Sequence, residues 1–287
     1  MGARREEIDE LLIGAYDMHV HSSPDVEKRK MSDHEILEDA EAAGMAGVLI
    51  KNHYESTGSR ACLANQHFSG QAKLYGSITL NLSVGGVNPY AVEMAAKSGI
   101  RMVWMPTKDS RNSIAHAGYG NLRKREGIFV LDEKGGLKPE VYEVLEVAKQ
   151  YGLSVSTGHL TTEESFQLCR AGRKQGVTMV LTHPEFSHTM ISVAEQKEFL
   201  KLGAFIEKDW VDIALKMATV SQVADSIREL GAEQLYLATD RGQFSGERPV
   251  EGMQMFIEGL LSCEVRREEI RKMICDNPQR ILNGESF

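Results

Sequence analysis

Short runs of β-branched and apolar residues alternate along the chain with longer stretches whose apolar positions recur every three or four residues. The short runs predict strands at residues 15–21, 47–51, 74–80, 101–105, 153–157, 177–181, 204–207 and 235–239. The intervening stretches predict amphipathic helices at 32–43, 54–68, 89–98, 139–151, 162–175, 193–202 and 219–230. Start signals support the helices: Ser32 precedes Asp33 and Glu35, and Thr161 or Thr162 precedes Glu163 and Glu164. Eight strands alternating with helices predict an α/β chain, a (β/α)8 TIM-type barrel. A doubly wound sheet is the weaker alternative, because no Gly-x-Gly-x-x-Gly follows the first strand.

One segment breaks the repeat. Residues 110–138 contain the apolar run Ile128-Phe129-Val130-Leu131, the turn-forming Asp132-Glu133-Lys134-Gly135-Gly136, and then Leu137. This predicts a β-hairpin inserted after strand 4, over the C-terminal mouth of the barrel, where loops that follow strands gather. No linker composition divides the chain, so residues 1–287 read as a single barrel domain.

Composition narrows the function classes. The chain is 42% hydrophobic and 26% charged with a net charge of −8, which argues against nucleic acid or an anionic membrane as partner. The basic runs Lys28-Arg29-Lys30 and Arg123-Lys124-Arg125 read as solvated loop charges, or as a local grip on an anionic substrate. Cys62, Cys169, Cys263 and Cys275 are scattered and form no Cys-x-x-Cys pair, the pattern of reduced thiols in the cytoplasm. No secretory h-region and no run of 18 apolar residues is visible, so no membrane association is expected.

The chemistry-bearing residues collect at predicted strand ends. The first strand finishes Asp17-Met18-His19-Val20-His21, and strand alternation predicts Asp17, His19 and His21 on one face. Lys51 and His53 share the same spacing after strand 2, His159 and His183 follow strands 5 and 6, and Asp240 follows strand 8. Imidazoles and a carboxylate converging on one mouth form a site for a borderline divalent ion, most simply Zn2+.

These positions, together with the closing Asp276-Asn277-Pro278-Gln279-Arg280-Ile281-Leu282, resemble the amidohydrolase superfamily of metal-dependent hydrolases, in an uncharacterised branch. The resemblance implies His19, His21, His159, His183 and Asp240 as metal ligands. It further implies Asp240 as general base and His183 or His159 as the group polarising the scissile bond. Strand 4 ends Trp104-Met105-Pro106-Thr107-Lys108 and lacks the bridging ligand that many binuclear relatives carry. One metal is therefore expected, and a two-metal site using His53, a modified Lys51 or Lys108 is the alternative.

Lys51 is counted among the reacting groups, with an ion pair to a mouth carboxylate such as Glu207 as its plain alternative. His53, Glu207 and Arg241 are expected to face substrate. His188 reads as a loop bystander, and His34, His67 and His116 as structural. The expected function is metal-dependent hydrolysis of an amide, lactone or other ester bond in a small polar substrate. A decarboxylase, a PHP-type phosphoesterase and a non-catalytic ligand-binding barrel are the competing readings, and a homo-oligomer is left open.

Overall fold

A computed structural model describes residues 2–120 and 122–285. Eight parallel strands follow one another around a barrel in sequence order: β1 Tyr16–Val20, β2 Gly47–Ile50, β3 Lys73–Thr79, β4 Ile100–Trp104, β5 Ser154–Ser156, β6 Met179–Leu181, β7 Phe205–Asp209 and β8 Leu235–Ala238. Each predicted strand appears within a few residues of its expected place. The ring closes through a bridge between Val20 and Arg241, where His21 N–H donates to Arg241 O at 2.7 Å. The strands are short and almost wholly buried, because their outer faces lie under helices and their inner faces on each other.

Pairing of β1 with β2 shifts register between Asp17 and Val20. This irregularity corrects the expectation that Asp17 lies on the same face as the two histidines. Met18 packs inward with Leu49, Met102 and Trp104, and His19, the next residue, also faces the interior, 4.7 Å from the Trp104 ring. Asp17 instead lines a small cavity with Ile36, Asp39 and Val250 on the helix side and is bonded by Thr239. An extra residue in a strand breaks strict alternation in this way.

The end of the barrel opposite the mouth is plugged by the helix Asn277–Leu282. Its Ile281 and Leu282 enter the interior cluster, Ser154 Oγ donates to Ile281 O at 2.5 Å, and Asn277 Nδ2 donates to Ala232 O and Leu235 O. The predicted caps at Ser32 and Thr161 both form full capping boxes.

Before β1, where the sequence pattern assigned no element, the chain forms a helix, Gly2–Leu12, whose Leu11 and Leu12 are buried. The insertion differs in its first half, which is the helix Arg111–Ala117. Its second half keeps a minimal hairpin, a single antiparallel bridge from Leu131 to Leu137 around the turn. Among the described residues, no helix is long and apolar enough to cross a membrane.

Candidate metal centre

Five imidazoles from four strand ends, two of them from β1, close into a ring at the barrel mouth. Adjacent ring centroids are 5.6 Å apart for His19 and His21, 4.8 Å for His21 and His53, and 6.4 Å for His53 and His159. The ring is completed by 4.9 Å between His159 and His183 and 6.0 Å between His183 and His19. All five are buried.

Local backbone explains how they converge. Gly158, with φ +59°, sits where a Cβ would come within 2.2 Å of Met105 O, and this tight turn carries His159 inward. His183 and Asp240 adopt positive φ, 20° and 46°, an uncommon conformation for residues bearing side chains and one that gathers at functional sites.

Most of these imidazoles spend Nδ1 on the protein. His19 Nδ1 meets Glu207 Oε1 at 3.1 Å, His53 Nδ1 meets Thr107 Oγ1 at 2.8 Å, His159 Nδ1 meets Ser113 Oγ at 2.8 Å and His183 Nδ1 meets Thr189 Oγ1 at 3.1 Å. A partner on Nδ1 fixes the ring plane and directs Nε2 elsewhere. The Nε2 atoms of His159 and His183 face each other at 3.2 Å. Those of His19 and His21 lie 3.2 and 3.0 Å from one oxygen, Asp240 Oδ1, which is buried and receives no aligned hydrogen bond. His19, His21 and Asp240 place one donor atom each within 4.8 Å of one another, and His19, Glu207 and Asp209 form a second such group.

The electrostatics favour a cation. Burial drives the imidazoles toward their neutral form: His21 and His183 are lowered to about 4, and His53 and His159 well below the ordinary histidine range. Burial opposes the charge on Asp240, yet His19, His21 and Lys51 outweigh it and hold the carboxyl well below its usual range. Neutral imidazoles around an ionised carboxylate are the protonation states that a divalent ion requires. Asp209, fully buried with neither oxygen bonded, is pushed well up by burial and by Glu207 and Asp240.

Lys51 is buried with its ammonium 2.9 Å from His19 Nε2 and 4.2 Å above the Trp104 ring. Burial lowers its pKa, while Asp240, Glu207 and Asp209 work against that. Glu207, expected to face substrate, is instead turned to the protein. Both its oxygens are spent on protein donors: His19 and Tyr236 OH on one, the His183 backbone N–H on the other. Arg241 is likewise engaged, its guanidinium forming two 2.9 Å contacts to Glu247. Lys108 stands apart from the ring, paired with Glu27.

The residues that sequence reasoning missed are the supports. Thr107, Ser113 and Thr189 are common residue types in loops, with nothing in their spacing to mark them. His188 and His116 are not isolated, since their rings stack at 5.7 Å and His188 lies 6.4 Å from His159. Asn112 Nδ2 donates to His188 O at 2.6 Å and to His159 O at 3.2 Å, joining the insertion to the loops after β5 and β6.

Comparison with known proteins agrees with this architecture. An amidohydrolase from Pseudomonas aeruginosa superposes with a TM-score of 0.68 at 14% identity, covering 98% of each chain. A TatD homologue from Escherichia coli K12 gives 0.60 at 17% identity, over 95% of this chain and 99% of the other. A phosphotriesterase homology protein from Escherichia coli, complexed with phosphate in its active site, gives 0.60 at 11% identity, over 94% and 99%. At such identities the likeness is one of fold, and the fold is the one that the sequence resemblance implied. No curated protein matches the sequence. A family profile covers residues 14–207, β1 to β7 with both histidines of the first strand, and the chain thereby belongs to a family of unknown function, DUF6282.

Proposed function

We propose that this protein is a metal-dependent hydrolase that cleaves an amide, lactone or other ester bond of a small polar substrate. The observation that carries the reading is the approach of His19 Nε2 and His21 Nε2 to the same unbonded oxygen of Asp240, inside a closed ring of buried imidazoles. In such a buried site these lone pairs have too few donors among themselves, and a cation is their natural complement.

His19, His21 and Asp240 would hold the ion, with His159 and His183 completing or flanking it. Imidazole and carboxylate donors together suit Zn2+. The Trp104 ring and the Lys51 ammonium fill the space beside His19 toward β4, which supports one ion rather than two. When bound, such an ion supplies Lewis acidity and brings the pKa of a coordinated water toward about 7.

The protein's own groups divide the remaining work. Asp240 accepts the proton of the attacking water on its carboxylate and returns it to the leaving group. Glu207 keeps the proton of His19 on Nδ1, so that Nε2 keeps its lone pair. His183, steadied by Thr189, stands ready to polarise the scissile bond. Lys51 sits within reach of the developing negative charge, and His53 lines the opposite side of the ring. A decarboxylase would want an arginine free for the substrate carboxylate, whereas Arg241 is bound to Glu247. The four free thiols support a cytoplasmic setting.

The deciding experiment is elemental analysis of protein purified without chelator, followed by a screen of lactones, amides and phosphoesters. One equivalent of a divalent metal with turnover of a lactone, ester or amide is expected. Metal-free protein that takes up none on titration would refute the reading.

A further inference from the structure

Lys108, which stands apart from the imidazole ring, belongs to a polar cluster that the hydrolytic chemistry does not use. Three loops build it, those after β1, β2 and β4, and loops that follow strands gather at the barrel mouth. At its centre is the carboxylate of Glu27. Tyr54 OH donates to Glu27 Oε1 at 2.8 Å, and the Lys108 ammonium donates to the same oxygen. Arg29 reaches toward the other oxygen, its Nη2 3.4 Å from Glu27 Oε2.

Arg29 is the unusual member. The run Lys28-Arg29-Lys30 reads as solvated charge, yet the Arg29 side chain is only 4% exposed. Its Nε donates to Asp25 at 2.6 Å, whereas Nη2 is buried and has no aligned acceptor. A buried guanidinium donor left unpaired is costly, and it calls for an oxygen better placed than that of Glu27.

The cluster adjoins the ring on two sides. Tyr54 follows His53 directly, with their rings 6.2 Å apart, and Lys108 follows Thr107, whose hydroxyl meets His53 Nδ1. Toward the loop that carries Asp240, Arg29 pairs with Gln243, and Lys30 N–H donates to Gly242 O at 3.0 Å. A molecule lying over the imidazoles would therefore meet these donors with one end.

Glu27 is weakly fixed as their partner. Its side chain is 38% exposed and that of Lys108 34%, and the flanking Val26 and Lys28 are exposed as well. Half-exposed ion pairs hold loosely, so a ligand carboxylate of the same shape can take the place while Glu27 turns to solvent. Asp25 already balances Arg29, so with Glu27 gone Lys108 leaves a single positive charge. That suits a carboxylate better than a dianionic phosphate.

We propose that Arg29, Tyr54 and Lys108 form a subsite for a carboxylate of the substrate, which Glu27 fills in the free protein. The subsite deepens the hydrolase reading and rests on it for the identity of the ligand as substrate. Because the cluster meets the ring through His53 and Thr107, the carboxylate anchors one end of the substrate and stays intact, while the bond to be cleaved lies over the imidazoles.

The test is titration calorimetry on the purified protein with the metal it carries, at about 0.15 M salt to screen distant charges. Matched pairs are compared: succinate against succinamate, glutarate against glutaramate and adipate against adipamate. Both members of a pair offer one carboxylate to a metal, and they differ only in the charge of the far end. In at least one pair the dicarboxylate should bind about tenfold tighter or more. Glu27→Gln, which removes the competing carboxylate, should widen that ratio by about threefold or more. Lys108→Gln should bring it close to one, and Tyr54→Phe should lower it if that variant fails to fold. Absence of the preference in every pair, its full survival in the folded variant, or a ratio that Glu27→Gln leaves unchanged or narrows overturns the proposal. Turnover without the preference refutes the subsite alone. A preference in protein that takes up no metal supports the subsite and refutes only the hydrolase reading.

Discussion

The two halves of the barrel interior are equally buried and built on the same strands, yet they are made of opposite materials. Toward the closed end, Met18, Leu49, Met102, Val180 and Phe205 pack against Ile281 and Leu282 of the plugging helix. Toward the mouth, the next inward positions are His19, Lys51, Glu207 and Asp240, ionisable groups whose hydrogen bonds run mostly to one another. Contacts of the first kind are non-directional and add up to stability. Groups of the second kind cost free energy to bury and persist because the surrounding packing holds them. Stability and chemistry are thus separated along the barrel axis, as the division between bottom and top faces in this architecture implies.

Substitutions at the two ends should therefore have opposite signatures. The largest effect is expected at the mouth: Asp240→Asn should lower kcat by about 10²–10⁴-fold, the usual worth of a positioned general base, with an unchanged or higher thermal midpoint. Calorimetric unfolding measured beside kinetics checks both halves of that statement. At the closed end, Ile281→Ala should cost about 2–5 kcal/mol by denaturant unfolding, while the folded fraction keeps its kcat.

The inner and outer faces of the barrel wall also differ in their response to acid. His21 and His183 titrate at about 4 in the fold against an ordinary 6.5, so the unfolded chain takes up protons that the fold refuses. Metal-free protein should lose stability as pH falls from 6.5 toward 4, by up to about 3 kcal/mol for each imidazole. Asp17, on the helix side, acts in the opposite direction. Burial raises its carboxyl to about 7, so its contribution is present at low pH and lost as pH rises through 7. Asp17→Asn should therefore steepen the acid loss seen in urea titrations across this range. A smaller change is expected from Glu207→Gln, which removes the carboxylate behind His19 and should weaken metal binding about 10–100-fold in a chelator competition assay.

Much of this layout is written in the chain. The β-branched runs mark all eight strands because each is buried on both faces, and the histidines stand out because an imidazole just past an apolar run is rare. Asp17 was misplaced by a rule of strict alternation, which the shift in β1 breaks and which residue types alone do not reveal. The helix Gly2–Leu12 was hidden because its apolar end, Leu11 and Leu12, runs straight toward β1. Thr107, Ser113 and Thr189 could not be foreseen, since what makes a hydroxyl a support is the ring that folding brings to it. Glu207 was read as facing substrate because its strand end was visible, whereas its partners, His19 and Tyr236, are remote in the chain.

The shift in register at Asp17 carries a lesson for anyone wishing to rebuild this pocket. Grafting the two histidines onto a perfectly pleated first strand that keeps Met18 inside would turn both rings out against the helices. One irregular step in the backbone, rather than any single side chain, is what a transplant would have to copy first.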